Sequence, residues 1–143
     1  MTLWLYEDRF CELTTMNLTI KNFCCPSFKA RVIPVRLIKE IFYEKQGCGL
    51  KELRAKADLY KLTIISNIFS YKDWGQGAND IWWAQDESRL MPNTKRHNVV
   101  LNMGEQPNKG FTVERIDEFL KELRPLIKKG ATIQDKMPFN CQT

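Results

Sequence analysis

A chain of 143 residues, 43% hydrophobic and 27% charged, is long enough to bury one core and too short for two ordinary domains. Seven Gly and six Pro exclude a low-complexity chain, and no apolar run approaches the ~20 residues that span a bilayer. A net charge of +5 suits an anionic partner, whether nucleic acid, lipid headgroup or acidic protein, and equally suits plain solubility.

Taken in chain order, Phe10 to Leu13 and Leu18 to Cys24 read as two strands joined by a turn at Thr14 to Asn17. Leu18 and Ile20 share one face of the second, with Phe23 on the other. Cys25-Pro26-Ser27 interrupts, because Pro removes a ladder donor, and Phe28 to Ile33 resumes with Phe28, Ala30 and Val32 expected on one face. Pro34 ends that strand. Val35 to Tyr43 reads as a short helical turn followed by a strand, stopped by Gln46-Gly47-Cys48-Gly49.

Leu50 to Tyr60 fits either a helical face or a strand with loop, and Leu62 to Tyr71, rich in Thr, Ile, Phe and Tyr, predicts a strand. Asp73 to Asp80 is turn-rich, Ile81 to Ala84 begins another strand, and Glu87 to Asn98 reads as an exposed polar loop. Asn98 to Met103 and Lys109 to Thr112 make a hairpin. From Thr112 or Val113 a helix is expected, with Ile116, Phe119, Leu120, Leu123 and Ile127 forming one apolar stripe. Pro125 should kink or loosen it before Lys128-Lys129-Gly130 ends it. Ala131 to Thr143 reads as a tail whose Met137 and Phe139 tuck against the body.

Short strands closed by one amphipathic helix give the element order of a pleckstrin-homology-like (PH-like) domain. Leu18-Thr19-Ile20, Val32-Ile33-Pro34-Val35-Arg36-Leu37-Ile38, Asn98-Val99-Val100-Leu101, Gly110-Phe111-Thr112-Val113, Asp117-Glu118-Phe119-Leu120 and Leu123 resemble small bacterial PH-like proteins across Phe10 to Ile127. The resemblance implies a mostly β, α+β fold: a split barrel of about seven antiparallel strands plugged by the helix, with residues 1–130 as the domain and 131–143 as the tail. It also implies a binding scaffold rather than an enzyme, so function must be argued from sites.

Lys21, Lys29 and Arg31 flank the turn at Pro26 with the Lys-x7-Lys-x-Arg spacing that resembles the basic signature by which some PH domains hold inositol phosphates. Such cations on paired strands can converge on phosphate oxygens, although alternating basic residues are also ordinary solvent-facing strand positions. Lys95 and Arg96, beside His97, form a second basic group able to meet phosphate or nucleic acid. Tyr71, Trp74, Trp82 and Trp83, with Phe69, make an aromatic block suited to a protein partner or to core packing, and Trp82 and Trp83 must diverge on a strand.

No catalytic set emerges. His97 has no nucleophile placed beside it, and Asp73, Asp80, Asp86 and Glu87 lack the companion lysine that a metal-dependent nuclease would use. Cys11, Cys24, Cys25, Cys48 and Cys141 are odd in number, and adjacent strand cysteines diverge, so neither a disulfide framework nor a metal site is expected. Met1 to Tyr6 lacks the basic start of a signal peptide, and Glu7, Asp8 and Arg9 break its apolar run. The expectation is a cytoplasmic, cofactor-free binding or assembly module that associates with a protein or itself through aromatics. The alternative is a basic accessory protein that binds nucleic acid or anionic headgroups.

Overall fold

The computed structural model describes residues 2–24, 29–46, 72–89 and 95–139. The expectations for Leu50 to Tyr60 and for Leu62 to Tyr71 lie outside these residues.

Four strands form the first sheet in the order β1 (Trp4–Glu7), β2 (Cys11–Thr14), β3 (Asn17–Cys24) and β4 (Lys29–Pro34), all antiparallel. Alternation decides its faces. Tyr6 stands opposite Leu13, Leu13 opposite Leu18 and Leu18 opposite Ile33, and all four are buried. Glu7, Glu12, Thr19 and Val32 occupy the next row and face outward.

Where described, Ala30 and Val32 share the outward face, as the alternation expects, and Ile33 faces inward because its cross-strand partner Leu18 stands on the inner row; Phe28 lies outside the described residues. Beyond Ile20 the register slips, and Asn22 takes a left-handed φ of 50° at the irregularity.

The second sheet has six strands. β5 (Glu40–Lys45) follows a 3-10 turn at Val35–Leu37, as the sequence predicts, and pairs with β8 (His97–Asn102), which forms a hairpin with β9 (Asn108–Val113). β6 (Gly75–Gly77) and β7 (Ile81–Trp83) extend it beyond β9. β10 (Thr132–Gln134) joins the far edge in a segment read as tail. β7 on β9 and β10 on β5 are parallel pairings.

The described chain is thus mostly β, with one helix, and its strands make two sheets, ten strands where the expected split barrel has about seven. Short edge strands that sequence periodicity does not register account for the surplus: β1, β6 and β10 have four, three and three residues.

Helix α1 spans Ile116–Leu123, starting later and ending sooner than expected. Val113 completes β9, and Arg115 is the cap residue. Arg124 closes the last turn, Pro125 follows in a turn, and the stripe ends at Leu123, leaving Ile127 to pack from outside the helix. Ile116, Phe119, Leu120 and Leu123 dock between the sheets. The Tyr6 hydroxyl bonds to Asp8 and accepts the Arg115 amide at 3.0 Å, fixing the helix start to β1. No described helix is long and apolar enough to cross a membrane.

The outer side of the second sheet carries its own small core of Phe42, Ile81, Trp83, Val100 and Met137, with Phe139 packed against it, so these tail side chains tuck in as expected.

Candidate functional site

The five cations predicted to bind phosphate do not form a cluster. Lys21 shares the outward row with Thr19 and reaches Glu7 at 3.4 Å, Glu12 at 3.6 Å and the Asp8 carbonyl at 2.9 Å. Arg31, opposite Ile20, projects from the other face and pairs with Glu105 at 2.8 Å. The same Glu105 holds Lys109 at 2.9 Å, and the two cations keep its carboxyl below the usual range. Lys21 and Arg31 therefore diverge, because Lys21 immediately follows Ile20, the register partner of Arg31, and successive strand side chains point to opposite faces. Lys29 and Lys95 are exposed. Arg96 is half-buried beside Ser88 and Asp86, in a different part of the molecule.

Among the described members of the aromatic block, none is exposed. Trp83 is fully buried and cannot meet a partner. Its ring lies against the backbone at Gly110, its register partner, where an added Cβ would fall 2.3 Å from Cε3. The Arg89 guanidinium lies 4.6 Å from the ring centroid. Trp82 is half-buried and donates from Nε1 to the Phe23 carbonyl at 2.7 Å, which ties the second sheet to the irregular end of β3. Trp74 is half-buried, and Tyr71 lies outside the described residues.

The stretch expected as an exposed loop instead contributes a buried polar network. Arg89 is only 1% exposed. It donates to Asn98 Oδ1 at 3.1 Å, Thr112 Oγ1 at 3.0 Å, the Ala84 carbonyl at 2.9 Å and the Lys72 carbonyl. Burial pushes its pKa down to about 10, partly offset by Asp86 and Asp73, so it is charged at neutral pH.

Asp86 accepts from Thr112 at 2.6 Å, Gln46 at 2.8 Å and Ser88 at 2.8 Å. Burial raises its carboxyl, but these hydrogen bonds and the Arg89 charge outweigh that and hold it below its ordinary value. Asn98 and Thr112 are register partners on β8 and β9, so both present their side chains on the same face to this network.

A surface the sequence reading did not single out lies at the opposite end of the first sheet. Among the described residues, the exposed large apolar side chains are Leu3, Trp4, Met16, Val32 and Leu37. Backbone bonds gather them: Thr15 donates to the Leu3 carbonyl at 3.0 Å, and Val35 to the Met16 carbonyl at 3.1 Å. Trp4 is 67% exposed at the start of β1, opposite Thr14, and Val32 stands two rows from Pro34, on the outward row of Glu7 and Glu12. The sequence signal was present in Leu3-Trp4-Leu5 beside a turn carrying Met16, but periodicity alone does not say that these positions lack a cover.

Among the described residues, no three His, Cys, Asp or Glu side chains gather to hold a metal ion. Cys11 is a free thiol, buried, with its pKa pushed up by that burial. Compared with family models, curated proteins and solved structures, the chain matches none.

Proposed function

We propose that this chain is a non-enzymatic assembly module, built on a PH-like scaffold, that self-associates through the apolar rim around Trp4. The observation that carries the reading is that the exposed apolar side chains Leu3, Trp4 and Met16 stand together at one end of the first sheet, where the Thr15 amide meets the Leu3 carbonyl at 3.0 Å. Residues 2–5, 13–17 and 33–38, which form that end, contain no Asp or Glu and a single cation, Arg36. Two copies can therefore meet there without burying a carboxylate, and an exposed Trp is a strong anchor for such a contact.

Association by face rather than by sheet extension follows from the edges. β4 carries Lys29, Arg31 and Pro34, and the Arg115 guanidinium covers the Glu7 carbonyl of β1 at 2.8 Å. Of the aromatics expected to serve, Trp83 is buried, Trp82 and Trp74 are half-buried and Tyr71 lies outside the described residues, so Trp4, 67% exposed, is the more available anchor. The basic alternative loses support because Lys21, Arg31 and Arg96 already have carboxylate partners.

Sedimentation velocity from low to high micromolar protein tests the reading. A dimer should appear as concentration rises, should persist in high salt, and should be lost in Trp4→Ser and Met16→Ser. A wild-type protein that stays monomeric throughout overturns it. Binding to random-sequence DNA or anionic vesicles that vanishes with salt and with Lys21→Ala, Lys29→Ala and Arg31→Ala would favour the alternative.

A further inference from the structure

The turn between β2 and β3, Thr14-Thr15-Met16-Asn17, is tied down along its backbone. The Thr14 hydroxyl accepts the Met16 amide at 3.3 Å and the Asn17 amide at 3.1 Å. Leu3 donates its amide to Thr15 Oγ1 at 3.3 Å and accepts the Thr15 amide on its carbonyl at 3.0 Å, while the Val35 amide reaches the Met16 carbonyl at 3.1 Å. The polar main chain is thus spent inside the fold, whereas the Met16 side chain is 56% exposed beside Leu3 and Trp4. A thioether stands on a fixed platform in the apolar rim.

The other described sulfurs are shielded. Cys11 is fully buried, and that burial pushes its thiol up, away from the thiolate that oxidants attack. Met137 is buried with Phe42, Ile81, Trp83 and Val100, and Met103 packs, partly buried, against the main core. A thioether has no proton to lose, so exposure rather than pH decides which methionine meets an oxidant in water. Among the described side chains, that selects Met16.

We propose that Met16 is an oxidation site at which a hydroperoxide switches off self-association through the Trp4 rim, a reading on which this inference rests. A sulfur lone pair attacks the terminal peroxide oxygen, an S–O bond forms, the O–O bond breaks, and the leaving oxygen departs as water or an alcohol with the proton of the transferred oxygen. Sulfur gives up two electrons and the peroxide takes them. The product, a sulfoxide, turns a flexible apolar side chain into a polar one. Burying it against the apolar side chains of a second copy would strip its oxygen of water, so the oxidised chain stays monomeric. Association in turn covers Met16, and the dimer resists the reaction that the monomer undergoes.

The test treats the full chain with hydrogen peroxide and then with dithiothreitol, which restores oxidised thiols and leaves sulfoxides in place. Peptide mass mapping should find the added oxygen on Met16 ahead of Met103 and Met137, and several-fold more slowly at high than at low micromolar protein. Sedimentation velocity should show the dimer dissociation constant raised at least tenfold, and the two epimer-specific methionine sulfoxide reductases should return it to its starting value. Met16→Leu, treated and untreated, should give one and the same constant. Oxidation spread evenly over the three methionines, a dimer unchanged by full oxidation of Met16, a loss that the reductases do not reverse, or an equal loss in treated Met16→Leu would overturn the proposal and leave self-association standing. An untreated chain that stays monomeric would overturn both.

Discussion

The two ends of the first sheet are built by different means. The apolar rim is held by main-chain bonds between turns and leaves its side chains without cover, so its residues add little to stability. The polar end rests on a buried network in which Asp86 and Arg89 satisfy groups on three other segments. Substitution should therefore separate the ends: one loses association with the fold intact, the other loses the fold.

The largest effect is expected from Arg89→Met. It removes the buried charge whose field lowers Asp86 and strips a donor from Asn98, Thr112 and the Lys72, Asp73 and Ala84 carbonyls, a change that costs about 1–3 kcal/mol for each acceptor left unpaired. Urea unfolding measures it, and a loss within experimental error would show the network to be incidental. Gly110→Ala comes next, because its Cβ must displace the Trp83 ring, with an expected cost of about 1–3 kcal/mol in the same assay.

Acid sharpens the comparison further. The Asp86 carboxyl is held below its ordinary value in the folded chain, so as pH falls the unfolded chain takes up its proton first. The stability Asp86 contributes is present above the usual carboxylate range and is lost on descending through it. Asp86→Asn should be less stable at neutral pH and flatter across that acid range in urea midpoints. His97 acts in the same sense at higher pH: burial lowers its pKa, so its contribution is present above the ordinary imidazole value and lost below it. The smallest effect on stability belongs to Trp4→Ser, within about 0.5 kcal/mol, while sedimentation should show the dimer gone.

Much of the fold was legible where burial and period agree. The hairpin of Val99 to Leu101 with Phe111, and the stripe of Ile116, Phe119, Leu120 and Leu123, follow from alternation and from helical spacing. That Val32 faces outward was not legible, since a β-branched apolar residue on an outward row carries no local mark of its exposure. Nor was the burial of Arg89, which depends on acceptors from Lys72, Ala84, Asn98 and Thr112 that come together only after folding. The candidate sites fared likewise. Counting cations located Arg96, but Asp86 and Ser88, which hold it, meet it only through tertiary placement.

The stack of Gly110, Trp83 and Arg89 has a consequence for how the chain can vary over time. A side chain at position 110 has no room while an indole stands at 83, and a guanidinium at 89 loses its aromatic platform if that indole goes. The three positions form one heritable unit whose members are expected to change together, with single replacements costing more than their combination. Trp4, by contrast, touches no such unit and is free to drift wherever its partner surface permits.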